Sequence, residues 1–253
     1  MRLLTLARDL KRRKSRERHS LFVAEGVRAV EDLVKSELLI RGVLVAPQLD
    51  DAPRGKALRA AIEEKGLEVS SVNEMEFRSA AETESPQGVL AIAETPSRSF
   101  TQLANREFLR LLVLDGVQDP GNVGAMVRTA AALGVDATVA LPGTVDIWNA
   151  KVVRASMGAS FHHSAFHASE DALFEFIDAS GTELWGAEAA GEPVGAIASP
   201  RGLALAVGNE GAGLSSSVRA RARRLVSLPI SGAVESLNVS VAAGILLYQL
   251  RKE

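Results

Sequence analysis

The sequence predicts an α/β protein in two parts, the second built on a parallel sheet. Three observations carry this. Near-continuous apolar runs alternate with segments of helical apolar spacing along the chain, the pattern of strands covered on both faces. A polar, Pro-punctuated stretch, TPSRSFTQLANRE (95–107), interrupts that alternation. Three loops rich in Gly, Asn and Ser each follow directly after a β-branched or apolar run. The division expected is a small α/β domain over 1–95 with a basic N-terminal arm, a linker over 96–107, and a larger domain over 108–253.

In the first part, LFVAEG (21–26) reads as a strand and VRAVEDLVKS (27–36) as a helix. LIRGVLVAP (39–47) is a strand, Lys56–Lys65 a helix ended by Gly66, and LEVSSV (67–72) a strand. A short helix, Glu74–Ala80, and the strand GVLAIAE (88–94) complete the unit. In the second part, strands are expected at 109–116, 137–141, 164–168, 182–188, 203–208 and 224–230. Helices are expected at Asn122–Leu133, Ala150–Ala159, Asp171–Asp178, Leu214–Ala220 and Leu237–Arg251. Ligands of parallel sheets sit at the carboxyl ends of strands, which is where the three loops fall.

Composition excludes several classes. Of 253 residues, 47% are apolar and 24% charged, a globular balance. Aromatics are only 4%, too few for a platform that stacks unpaired bases. The absence of Cys excludes disulfides, thiolate metal sites and a Cys nucleophile. No signal peptide and no run of roughly 18 apolar residues are present, so the expected location is cytoplasmic, away from membranes. The net charge of −2 hides an asymmetry: residues 1–18 hold eight Lys/Arg against Asp9 and Glu17, a net of +6, leaving −8 elsewhere. A basic arm on an acidic body suits a polyanion; a solvated amphipathic helix with Leu3, Leu4, Leu6 and Leu10 on its apolar face is the plainer reading.

Loop one, DPGNVGAMVRTAAALG (119–134), opens with a turn signal and a helix N-cap. Arg128 lies four residues after Gly124, so its stem lies over that Gly and its guanidinium aims back at the loop. An Arg there suits a phosphate or a developing oxyanion, and an Arg reaching into solvent fits the same spacing. Loop two, GNEGAG (208–213), lets a ligand approach the backbone, but its spacing is not that of a dinucleotide fingerprint, and no P-loop occurs. Loop three, within LPISGAVESLNVS (228–240), brings Ser236 and Asn238 to the mouth of the last helix, as caps or as more than caps. No GxSxG elbow is present. His162, His163 and His167 lack a metalloprotease pattern, and no metal site is expected.

In order and spacing, DPGNVGAMVRTAAALG, GNEGAGLS and LPISGAVESLNVSVAAGILLYQL resemble the three motifs of the SpoU/TrmH family of RNA ribose 2′-O-methyltransferases, within the SPOUT superfamily. KVVRASMGASF (151–161) looks like the family's segment between motifs one and two, and FVAEGVRAVEDLV (22–34) resembles its small RNA-binding domain. The resemblance implies a parallel sheet flanked by helices with a C-terminal trefoil knot, S-adenosyl-L-methionine as cofactor, and a homodimer. It places Asn122, Arg128, Glu210, Ser236 and Asn238 on the catalytic positions. Cofactor contacts are implied for Leu205, Ala206, Val207, Gly208, Asn209, Gly211, Leu228, Ile230, Ser236, Leu237 and Val239. RNA contacts are expected from Arg12, Arg13, Lys14, Arg16, Arg18, Lys151 and Arg154.

The mechanism implied needs no metal. Arg stays protonated, so Arg128 is expected to stabilise the developing 2′-alkoxide and the adjacent phosphate, the proton passing to a phosphate oxygen or water. Asn122 and Ser236 would position the ribose, and Glu210 would orient Arg128 or Asn238. The basic N-terminus favours structured RNA, ribosomal ahead of transfer RNA. The alternatives are a transfer-RNA enzyme, a base-nitrogen methyltransferase, and a non-catalytic RNA-binding protein on the same scaffold.

Overall fold

The computed structural model describes residues 2–104, 106, 108–232, 234 and 236–251. The basic N-terminus forms two helices, α1 (Leu3–Asp9) and α2 (Arg13–His19). Then come β1 (Leu21–Glu25), α3 (Val27–Lys35), β2 (Ile40–Val45), α4 (Pro53–Glu64), β3 (Val69–Ser71), α5 (Glu74–Ala80) and β4 (Val89–Glu94). The helix α5 starts with a reciprocal capping box between Asn73 and Glu76. These strands form one sheet in the order β1-β4-β2-β3, with β4 antiparallel to both neighbours and β2 parallel to β3.

A 3₁₀ turn, Phe100–Leu103, lies in the polar stretch after β4. There follow β5 (Arg110–Asp115), α6 (Pro120–Ala132), β6 (Ala137–Ala140), α7 (Ala150–Ala155), α8 (Ala159–His162), β7 (Ser164–His167) and α9 (Glu170–Ser180). The chain ends with β8 (Glu183–Pro193), β9 (Leu203–Gly208), α10 (Ser216–Arg221), β10 (Arg224–Ser227) and α11 (Val239–Gln249). The helix expected over 150–159 is two helices: Met157 and Gly158 take φ of 49° and 86°, left-handed values that stop α7.

Contacts divide the chain into two compact units. The first contains the residues up to Ser97 together with Trp148–His162. Its core joins Leu3, Ala7 and Leu10 of the N-terminal helices to Leu44, Phe77, Leu90 and Ile92, and the Phe22 ring packs on Trp148 and Phe161. The basic segment is therefore folded into a core rather than a free arm. Arg16, expected at an RNA surface, is only 5% exposed, and its Nη1 donates to the carbonyls of Leu10 and Lys11 at 2.8 and 2.9 Å. Both carbonyls lie in the turn between α1 and α2, and the guanidinium supplies their donors.

The second unit, Arg98–Ile147 with the residues from His163 onward, carries a six-stranded, wholly parallel sheet in the order β10-β8-β9-β5-β6-β7. Leu111, Val113, Val139, Ala204 and Ala206 form its buried centre with Leu173 and Ile177 of α9. The strand order reverses between β5 and β9, a switch point where neighbouring loops diverge and leave a crevice.

His163 is buried in this unit, with its Nε2 2.9 Å from Thr138 Oγ1. Burial, reinforced by the Arg98 guanidinium and opposed by Asp136, pushes its pKa down to about 4. The folded state thus binds the proton less tightly than the unfolded chain does. Stability is full above pH about 6.5 and falls, by up to about 3 kcal/mol, as the pH drops toward 4. Urea unfolding of His163→Asn between pH 7 and 4 is expected to show a flatter pH dependence than the unsubstituted protein.

Candidate active site

Loop one leaves β5 at Asp115 and enters α6, whose N-cap Asp119 accepts from Asn122 N at 2.8 Å, with Pro120 at the first helical position. Loop two leaves β9 at Gly208 and closes on itself. Asn209 and Gly213 exchange backbone hydrogen bonds of 2.9 and 3.0 Å, and Asn209 Oδ1 accepts from Gly211 N and Ala212 N at 2.9 Å each. The Asn209 Nδ2 donates to Gly116 O at 2.9 Å, tying loop two to loop one. Gly208 is required: a Cβ there would lie 2.2 Å from the Gly213 carbonyl carbon and 2.4 Å from Leu214 N. Loop three follows β10 and ends at Asn238, the N-cap of α11.

One hydrogen-bond chain links all three loops. Asn238 Oδ1 accepts from Ser240 N, Ser240 Oγ and Val241 N at 2.9, 2.6 and 3.3 Å. Asn238 Nδ2 donates to Asn122 Oδ1 at 3.0 Å, and Asn122 Nδ2 donates to Glu210 Oε1 at 3.0 Å. Glu210 also accepts from Gln118 N and Asp119 N at 3.3 Å each. Burial alone would raise the Glu210 pKa, but hydrogen bonds from Asn122 and from backbone N–H groups outweigh it and hold the carboxyl below its ordinary value. Glu210 is therefore an anionic acceptor that reaches Asn238 through Asn122.

A cavity of about 430 Å³ opens beside this chain, within the usual range of small-molecule sites. Val207, Gly208, Asn209, Glu210, Leu228, Ile230, Ser236, Leu237, Asn238 and Val239, all singled out in the sequence, line it. Leu205 and Ala206 stop short of it, because β9 is laddered there to β5 on one side and β8 on the other. Gly211 lies exposed in loop two, outside the cavity lining. Arg128 is exposed on α6, six residues beyond Asn122.

Sequence reasoning missed the walls supplied by Ala187, Glu188, Ala189, Val226, Ser227, Ala242 and Leu246. The first three belong to an excursion of β8. Gly186 pairs with Leu225, but the next register pairs Glu192 with Val226, so Ala187–Gly191 leave the ladder. Gly191 lets the strand return, since a Cβ there would meet the Leu225 and Val226 backbone at 2.6–2.7 Å. The two glycines bracketing GAEAAG were the available signal. Ile230 and Leu237 remain 39% and 37% exposed on the cavity wall. Aliphatic side chains beside polar groups such as Asn209, Ser227 and Asn238 fit a cofactor that carries both an adenine ring and a ribose.

Of the expected RNA-contacting residues, Arg12, Lys14 and Lys151 are exposed and Arg154 is half-buried. Arg13 pairs with Glu17 at 2.7 Å and Arg18 with Asp9 at 3.0 Å. Among the described residues, no group of three or more His, Asp or Glu side chains is arranged to hold a metal ion. No helix among them is long and apolar enough to cross a membrane.

The chain matches the model of the SpoU rRNA methylase family over residues 110–248, and an MRM3-like substrate-binding domain over residues 5–91. It is 35% identical over 245 residues to the Bacillus subtilis 23S rRNA (guanosine(2553)-2′-O)-methyltransferase RlmP, covering 96% of this chain and 94% of that protein. To the 23S rRNA (guanosine-2′-O-)-methyltransferase RlmB of Xanthomonas campestris it is 34% identical, covering 88% and 93%. The crystal structure of an AdoMet-bound rRNA methyltransferase from Sinorhizobium meliloti superposes with a TM-score of 0.85 at 27% identity, covering 98% of this chain and 94% of that one. The switch-point cavity, the three linked loops and these matches agree, and the chain belongs to the SpoU rRNA methylase family.

Proposed function

We propose that this protein transfers a methyl group from S-adenosyl-L-methionine to the 2′-hydroxyl of a ribose in 23S rRNA. The observation that carries the reading is the Glu210–Asn122–Asn238 chain, which locks three strand-end loops around an aliphatic cavity. The cofactor supplies an electrophilic methyl on its sulfonium. Val207–Glu210, Leu228, Ile230 and Leu237–Val239 would hold it, Ile230 and Leu237 offering the apolar surface. Arg128 stabilises the negative charge that develops on the ribose 2′-oxygen and on the neighbouring phosphate. The hydroxyl proton leaves to a phosphate oxygen or to water. Ser236, exposed and lining the cavity, positions the ribose, and Asn122 and Glu210 hold Asn238.

The N-terminal unit and the exposed Arg12, Lys14 and Lys151 engage structured RNA, and the enzyme works in the cytoplasm. Loop three and α11, which packs on α6, form the threaded end of a trefoil knot. The protein is a homodimer joined through α11. This helix carries apolar residues on its buried and its exposed faces: Ala243, Leu246 and Leu247 are buried, whereas Val241, Ile245 and Tyr248 share one face and are 50%, 40% and 56% exposed. Ile245→Glu is expected to convert the dimer to a monomer in light scattering, and an unchanged mass would remove α11 from the interface.

Methyl-labelled cofactor and total RNA from cells lacking the protein test the activity. Digestion to nucleosides should return the label as a 2′-O-methylnucleoside. Label on a base would contradict the reading.

A further inference from the structure

The Asn238 carboxamide has one orientation available to it, set by the backbone N–H groups of Ser240 and Val241 and reinforced by the Ser240 hydroxyl. The first N–H groups of α11 are obligatory donors, so the oxygen of the capping amide must face them. Ser240 adds a third donor, its Oγ 2.6 Å from Asn238 Oδ1. With that oxygen committed, Asn238 presents its NH₂ to Asn122, whose oxygen must accept and whose own NH₂ must turn to Glu210. Reversing either amide would set oxygen against oxygen, at Asn122 or at the Glu210 carboxylate. Polarity therefore runs one way, from the α11 N-terminus to an anion, and neighbouring bonds in such a chain strengthen one another.

We propose that Ser240 is a positioning residue for the methyl-transfer reaction, its hydroxyl reinforcing the direction of the Asn238–Asn122–Glu210 hydrogen-bond chain and tightening the presentation of both amides to the substrate. This rests on the methyltransferase reading for its consequence in rate, but not for the existence of the chain. Ser240 itself is half-buried, and it does not line the cavity.

The test compares Ser240→Ala and Ser240→Thr in the full-length protein. Under single-turnover conditions, Ser240→Ala is expected to lower the methylation rate about tenfold, because a mis-set positioning group costs rate before binding. The dissociation constant for S-adenosylhomocysteine and the KM for RNA should stay within about twofold of the unsubstituted values. Ser240→Thr, which keeps the hydroxyl, should recover the rate. The second readout is the side-chain amide resonances of Asn122 and Asn238 in ¹⁵N-labelled protein. Both should follow the Glu210 titration as the pH falls, and in Ser240→Ala the response of the Asn238 resonance should shrink measurably. An unchanged rate in Ser240→Ala, no recovery in Ser240→Thr, or an Asn238 resonance indifferent to Glu210 would overturn the proposal. If no RNA is methylated by the unsubstituted protein, the methyltransferase reading fails, and the resonances alone decide the chain.

Discussion

Gly208→Ala is expected to abolish S-adenosylhomocysteine binding and to lower stability by about 3 kcal/mol, the upper end of ordinary overpacking. The added methyl would sit 2.2 Å from the Gly213 carbonyl carbon, 2.3 Å from its oxygen and 2.4 Å from Leu214 N. All three are main-chain atoms, so no side-chain rotation relieves the clash. Loop two must move away from β9, and the paired bonds between Asn209 and Gly213 break. Glu210 then leaves Asn122, and the cavity loses the wall formed by Val207–Glu210. Titration calorimetry and urea unfolding check both effects. Cofactor affinity at the unsubstituted level would show that loop two is not the wall it is taken to be.

Arg128→Lys is expected to lower the methyl-transfer rate at least about a hundredfold, the scale seen when one charge-stabilising donor is removed. Lysine keeps the charge but loses the planar fork that can hold an alkoxide and a phosphate oxygen together. Because Arg128 does not line the cavity, cofactor affinity should be unchanged, which separates this effect from that of Gly208→Ala. Near-full turnover in Arg128→Lys would mean that a point charge suffices.

Much of the second unit was legible. Its strands are short apolar runs with no other plausible fate, and β9 matches the run 203–208. The loops stood out because Gly, Asn and Ser cannot fill a core. Long-range and irregular features were less readable. Strand β8 runs to Pro193, beyond the expected 188, because its middle leaves the ladder and loses the alternation that marks a strand. Val226, Ala242 and Leu246 carry no cavity signal in the sequence, because a cavity wall and a packed interior use the same aliphatic side chains. The burial of Arg16 depends on the carbonyls of the turn between α1 and α2, which charge counting ignores. The return of Trp148–His162 to the first unit is a tertiary event without local signature. Within the site, the residue types were readable, but the order Glu210–Asn122–Asn238 was not, since it joins positions far apart in the chain.

The most direct measurement is a map of ribose methylation across ribosomal and transfer RNA in cells lacking this protein, with the wild type or Arg128→Ala restored. The account predicts that one 2′-O-methylated nucleotide of 23S rRNA disappears, returns with the wild type, and does not return with Arg128→Ala. An rRNA map unchanged by the loss, or a change confined to tRNA, would contradict it.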